Sequence, residues 1–184
     1  MLKYTTAQVT FREIPDEVTL CINISNCPIH CPDCHSKELW NDVGIELTPK
    51  ELERLIEANK GITCVCFMGG DNNYEELHNI VIRFYHWKMT SRTPHISSIK
   101  IALYSGRDSV QDLANRAGYW IELFNYIKIG PYIKFCGGLN HKTTNQRLYQ
   151  VDKGGVEIAK LRLNDGYDRI IKVIDITSKF WKKD

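Results

Sequence analysis

Three cysteines stand within eight residues, Cys27, Cys31 and Cys34, in the stretch CPIHCPDC. On a helix the spacing C-x3-C-x2-C would gather all three thiols on one face. Pro32 would sit inside that helix with no backbone N–H to give. A loop is therefore expected, wrapping its thiolates around a metal centre while free backbone N–H groups point at the sulfurs. Three centres compete for it. A structural zinc ion takes four ligands, usually from two paired clusters. His35 adjoins Cys34 too closely to share its ion easily, and Cys64 and Cys66 complete a zinc set only if the fold carries them across. A thiol switch needs only a pair. A 4Fe–4S cube takes cysteine thiolates, normally four, so three leave one iron open to another ligand. The open cluster is the favoured reading, and a non-catalytic zinc-binding α/β module is the alternative from a different class.

The other cysteines read differently. Cys64 and Cys66 share one face of a strand, and with Cys21 they suit small core positions. Cys136 lies in a Gly-rich loop. None of the four has ferredoxin-like spacing, so no second cluster is expected. His30 and His35 flank the thiolates and are expected to shape the loop or tune its centre. Trp40 is expected to anchor the loop by packing. The tail SKFWKKD is basic and aromatic, and reads as a terminal plug.

The elements that must position these residues are legible from periodicity. Residues 18–24 alternate as a strand, and the cysteine stretch follows directly. A helix is expected from Thr48, a good N-cap, with Pro49 at the first helical position and Glu51 completing a capping box. Leu52, Leu55 and Ile56 form its apolar face, and Gly61 can end it. Residues 62–68 (ITCVCFM) are a continuous apolar run, a strand covered on both faces. A Gly-Gly-Asp loop and a helix over 74–89 follow, the latter capped by Asn73 and Glu76. A strand over 99–104, a Ser-Gly-Arg loop, a helix over 109–117 and a short strand over 126–129 complete the pattern. Residues 156–163 and 167–176 pair as a hairpin about Asn164 to Gly166.

Strand, helix, strand, helix in alternation is the mark of βα units around a parallel sheet. In such sheets ligands bind beyond the carboxyl ends of the strands. The cysteine, Gly-Gly-Asp and Ser-Gly-Arg loops each follow a strand, so all three are expected to meet at one end.

Bulk properties bound the rest. The chain has 184 residues, one domain by length, with a C-terminal extension of uncertain structure from about residue 150. Apolar residues make up 43% and charged residues 25%. The 24 Lys and Arg exceed the 22 Asp and Glu by two, so no strong field favours nucleic acid or a membrane surface. No apolar run approaches a membrane span, and MLKYTTAQVTFREIP lacks a signal-peptide core. The expected location is the cytoplasm, where thiols stay reduced. Seven cysteines, an odd count, then argue for metal or redox chemistry over disulfides.

The cysteine spacing directly after the first strand of a βα chain resembles the radical S-adenosylmethionine (SAM) superfamily. Residues 31–40, CPDCHSKELW, are similar to the CPGCHN…W stretch of anaerobic ribonucleoside-triphosphate reductase activating proteins. Gly69-Gly70-Asp71 sits where that family has GGD. Leu103-Tyr-Ser-Gly106 looks like its strand ending in YTG. Gly130-Pro131 and Asn145-Gln-Arg147 resemble its DGPF…NQR segment. The matches run in the family's order from residue 27 to about 147. Three positions depart from it: residues 12–17 replace a Gly-rich stretch, Ile129 stands for an Asp before Gly130, and Asp33 precedes the third cysteine where glycine is usual.

The resemblance implies an incomplete (βα) barrel with a largely parallel sheet. It implies a 4Fe–4S cluster held by Cys27, Cys31 and Cys34, with SAM chelating the open iron through its amino and carboxylate groups. Asp33, Cys34, His35, Gly69, Gly70, Asp71, Tyr104 and Ser105 would contact SAM. Asp71 would pair with its ammonium, and Tyr104 and Ser105 would touch ribose or carboxylate. Gly69 to Asp71 also reads as a plain turn and helix cap. One electron would break the C5′–S bond, and the resulting radical would take the α-hydrogen of a glycine on the reductase. The implied partners are that reductase and a low-potential donor such as flavodoxin or ferredoxin. No catalytic residue beyond the cluster and cofactor ligands is expected. The alternative targets are another glycyl-radical enzyme or a small molecule such as a deazapurine precursor.

Overall fold

A computed structural model describes residues 1–163 and 165–181. In chain order its strands and helices are β1 (Lys3–Thr10), β2 (Thr19–Ile24), β3 (Ile45–Glu46), α1 (Pro49–Ala58), β4 (Cys64–Met68), α2 (Tyr74–Thr90), α3 (Pro94–Ser98), β5 (Lys100–Tyr104), α4 (Val110–Ala117), β6 (Tyr126–Ile129), β7 (Arg147–Arg162) and β8 (Asp168–Asp175). All eight strands join one sheet in the order β3-β1-β2-β4-β5-β6-β7-β8.

The centre of the sheet is parallel: β2 pairs β4, β4 pairs β5, and β5 pairs β6. Its flanks are antiparallel, through β1 with β2 and β3, and through β6, β7 and β8. The expectation of a largely parallel sheet is thus corrected, since three pairings are parallel and four antiparallel. A parallel pair needs a long crossover, usually helical. Helical crossovers lead into β4, β5 and β6 and then stop. The chain returns from β6 through a loop and runs back as β7. What stands is a mixed α/β fold with one open sheet, β3 at one edge and β8 at the other.

Helices α1, α2 and α4 form where caps and apolar spacing placed them, while the short α3 falls where the sequence reads as loop. Thr48 Oγ1 accepts the Glu51 N–H at 3.1 Å, Pro49 opens α1, and Leu52, Leu55 and Ile56 are buried. The reciprocal capping-box bond gives way to a stronger one. The Glu51 carboxylate instead accepts from Tyr4 Oη at 2.5 Å and from Arg54 Nε at 2.8 Å, tying α1 to β1. Arg54, with Tyr4, holds the Glu51 carboxyl down to about 2. Asn73 Oδ1 caps α2 through the Glu76 N–H at 3.0 Å, and Ser109 Oγ caps α4 through the Asp112 N–H at 3.0 Å.

Period-two alternation sorts the strand residues onto two faces. Leu20, Ile22, Val65, Phe67, Ile101, Leu103 and Ile127 pack with the buried helix residues in one core. Cys21, Cys64, Cys66, Ala102, Tyr126 and Leu148 form a second core on the other face, with Ile14 and Ile176 over it. Burial pushes the Cys64 and Cys66 thiols up, and Cys21 pushes Cys66 further the same way, so these are neutral core groups. Phe180, in a 3-10 turn over Thr177–Phe180, packs against the same core. Lys182 to Asp184 of the tail lie outside the described residues.

The expected hairpin forms, but its first strand starts at Arg147, nine residues earlier than its periodicity showed. Val151 and Val156 both register with Val173, so residues 152–155 bulge out of the ladder. A Cβ at Gly155 would lie 2.4 Å from the Val173 carbonyl oxygen, which only glycine avoids. Asn164 of the turn lies outside the described residues. No helix among the described residues is long and apolar enough to cross a membrane.

Candidate metal centre

Because β2, β4, β5 and β6 run parallel, their carboxyl ends share one edge of the sheet. Each is followed at once by one of the loops singled out by sequence: the cysteine loop, Gly69 to Asp71, Ser105 to Arg107, and Gly130-Pro131.

The cysteine loop is closed at its base by backbone bonds. The Asn26 N–H donates to the Asn41 carbonyl at 3.0 Å, and the Cys27 N–H to that of Leu39 at 2.9 Å. Ser25 Oγ adds a bond to the Val43 carbonyl at 2.6 Å. Asn26 and His30 take left-handed backbone, φ 61° and 49°, so the stretch is no helix. The His30 ring stacks on Trp40 at 4.8 Å, which makes Trp40 the anchor across the loop.

The three thiols are free and half-buried. The Cys34 sulfur accepts the Ser36 N–H at 3.4 Å, and the Cys31 sulfur accepts the Tyr132 N–H at 3.3 Å. Burial pushes the Cys27 thiol up, while the backbone N–H groups of Ile29 and His30 pull it down. The Cys31 and Cys34 sulfurs thus each receive a backbone amide donor, the kind of bond that orients a sulfur ligand at a metal. Among the described residues, no three His, Cys, Asp or Glu side chains converge at single-ion spacing. Cys64 and Cys66, which a zinc site would need, lie instead in the core on the second face. The donor set that remains is three soft thiolates in one loop, a set that suits an iron–sulfur cluster.

The neighbouring loops are knitted together by Asp71, whose side chain is 3% exposed. Its carboxylate accepts from Ser105 Oγ at 2.7 Å, Tyr74 Oη at 2.9 Å and the Gly106 N–H at 3.0 Å. Arg107 Nε stands 3.9 Å away and also donates to Tyr74 Oη at 3.0 Å. Gly69 and Gly70 take φ of 109° and 100°, a backbone that side chains rarely adopt. Tyr104 Oη donates to the Glu13 carbonyl, which fastens residues 11–17 across the second face. Ser105 Oγ is committed to Asp71. Asp33 and His35 are exposed, and the His35 ring meets Tyr132 edge-on at 4.5 Å.

Two residues at this edge escaped the sequence reading. Tyr132 supplies an N–H to Cys31 from a loop about a hundred residues away, and no local pattern announces it. Lys128 does carry a signal, a lone lysine in the short apolar strand YIKI. It is 8% exposed and lines a pocket of about 370 Å³ with Arg12, Glu13, Tyr104, Gln146 and Phe180.

Gly106 sets how closely the cysteine loop approaches the Ser-Gly-Arg loop. A Cβ there would stand 2.7 Å from Ile29 Cγ1 and 3.2 Å from Ile29 Cβ. Gly106→Val is therefore expected to push Ile29 off its seat, at a cost of about 1–3 kcal/mol. Urea denaturation reads the cost, and iron content after reconstitution reads the displaced loop. Unchanged values for both would show that the two loops do not press on each other.

No curated protein and no solved structure matches the chain. Residues 17–147 match a family described as a 4Fe-4S single cluster domain, a span from just before β2 to the first residue of β7 that contains all three cysteines of the loop. By that match, over well more than half its length, the chain belongs to the 4Fe-4S single cluster domain family.

Proposed function

We propose that the protein is a radical SAM activating enzyme whose target is a glycine of an anaerobic ribonucleoside-triphosphate reductase. The observation that carries this reading is the three-thiolate loop at the carboxyl edge of the parallel strands, in a chain of a 4Fe–4S family. Three thiolates leave one iron of a cube without a protein ligand. The ordered run of resemblances from residue 27 to about 147 supports the assignment of SAM to that iron.

Cys27, Cys31 and Cys34 would hold the cluster. When bound, it supplies one low-potential electron to the sulfonium of SAM. The chain's own residues bind, orient and exclude. Ser36 and Tyr132 hold two sulfurs through N–H bonds, and Trp40 fixes the loop. Gly69 and Gly70 keep backbone without side chains at the edge where the amino-acid end of SAM would lie. Asp71 holds the Gly-Gly-Asp and Ser-Gly-Arg loops in fixed relation, and an ammonium would meet a carboxylate already oriented by three donors. Asp33, His35, Tyr104 and Ser105 are the remaining proposed contacts. A low-potential donor such as flavodoxin or ferredoxin would supply the electron in the cytoplasm.

The test is anaerobic reconstitution followed by EPR of the reduced cluster with and without SAM. SAM is expected to change the spectrum by ligating the open iron. Adding the reductase is then expected to yield a glycyl-radical signal. A SAM-insensitive spectrum would end the radical SAM reading. A SAM response with no glycyl radical would move the target to another glycyl-radical enzyme or a small molecule. Zinc without iron or sulfide would end the enzyme reading.

A further inference from the structure

We propose that Lys128 sets the reduction potential of the cluster held by Cys27, Cys31 and Cys34. The inference rests on the 4Fe–4S family and the cysteine loop, not on SAM or on any reductase.

Lys128 is the penultimate residue of β6, two positions before the Gly130-Pro131 turn. Its Nζ donates to the Gly130 carbonyl at 2.7 Å and lies over the Tyr104 ring at 5.9 Å from the centroid. Gln146 Nε2 donates to the same carbonyl at 3.3 Å. Two residues beyond the turn, the Tyr132 N–H holds the Cys31 sulfur. The segment that fixes the ammonium is therefore the one that presses on the cysteine loop. Cys31, Asp71 and Cys27 are the leading negative groups that act on it.

No carboxylate pairs with Lys128 at contact distance among the described residues. Asp71 accepts from Ser105, Gly106 and Tyr74, stands 3.9 Å from Arg107 Nε, and makes no contact with Lys128. Burial pulls the ammonium down to about 8, and the negative groups around it act the other way. Glu13 lines the same pocket but stays beyond ion-pair distance. A desolvated cation held by the segment that meets Cys31 has one electrostatic consequence. Buried charges are weakly screened. Reduction adds one electron from a low-potential mediator to the cube, makes it one unit more negative, and breaks no bond. The ammonium stabilises the more negative state and so raises the potential.

The experiment is an EPR-monitored redox titration of the reconstituted protein, with dithionite as reductant and no SAM. Lys128→Met is expected to move the midpoint to a more negative potential. Lys128→Arg keeps the charge and should stay near the parent value. Lys134→Met removes an exposed lysine of the following loop and should leave the midpoint unmoved. Three results overturn the proposal: a parent midpoint in a fully loaded Lys128→Met, an equal shift in Lys128→Arg, or an equal shift in Lys134→Met. If Lys128→Met holds no cluster, Lys128→Gln is titrated in its place. Loss of the cluster in both neutral variants, with a normal one in Lys128→Arg, also counts against it. The lysine would then serve assembly rather than potential.

Discussion

Cys27→Ala, reconstituted anaerobically, is expected to hold no stable 4Fe–4S cluster, with bound iron falling from about four per chain toward zero. The reason is a shortage of replacements. Cys21, Cys64 and Cys66 are buried on the second face, and burial keeps the thiols of Cys64 and Cys66 neutral. Cys136 lies in a different loop, beyond β6. Two thiolates would leave two irons of a cube without a protein ligand. The fold itself should survive, because Cys27 is half-buried in a loop and its backbone bond to Leu39 does not depend on the thiol. Its unfolding midpoint should shift by no more than about 1 kcal/mol equivalent. Iron, sulfide and visible absorbance read the first effect, and circular dichroism with urea reads the second. Cys136→Ala is the control, expected to keep the cluster. A fully loaded Cys27→Ala would overturn the ligand assignment outright.

Asp71→Ala is expected to be the most destabilising single change at the site, by about 3–5 kcal/mol. The side chain is 3% exposed and receives donors from Ser105, Tyr74 and Gly106. Truncation orphans all three, each at about 1–3 kcal/mol when buried. It also leaves the largely buried Arg107 guanidinium without its carboxylate. Small domains are stable by only about 5–15 kcal/mol, so the loss is a large share of the total. Asp71→Asn keeps shape and one acceptor and should lose less. A urea midpoint shift worth under 1 kcal/mol in Asp71→Ala would show that the carboxylate is not the tie between the loops. A double-mutant cycle with Ser105→Ala isolates the direct bond, and coupling near zero would point to the same conclusion.

Much of the fold was readable because its signals are local. Helix α1 announces itself through Thr48, Pro49 and its apolar face, and residues 62–68 through an unbroken apolar run. The sequence underlying β1 was not legible. KYTTAQVT is mixed in character and buries only Tyr4 among its eight residues, so periodicity had little to report. The early half of β7 was missed for another reason. The bulge at 152–155 breaks the alternation, and a register that skips four residues looks like a loop. The antiparallel flanks follow from the same limit. Strand direction depends on which neighbour a strand finds, and that is a long-range choice.

At the site, the thiol triplet and its loop character came from spacing and Pro32 alone. The meeting of the cysteine, Gly-Gly-Asp and Ser-Gly-Arg loops came from strand order, since ends of parallel strands must share an edge, and the structure added Gly130-Pro131 to them. What only the tertiary structure decided is which groups face each other there. It commits Asp71 to Ser105, Gly106 and Tyr74, brings the Tyr132 N–H to Cys31, and lays residues 11–17 across the second face under the hold of Tyr104. It also buries Lys128 against the Gly130 carbonyl, two residues before the Tyr132 N–H that meets Cys31. A strand pattern says which face a side chain takes, because that depends on the residue's own backbone. It does not say what stands opposite, because that depends on contacts between residues far apart in the chain.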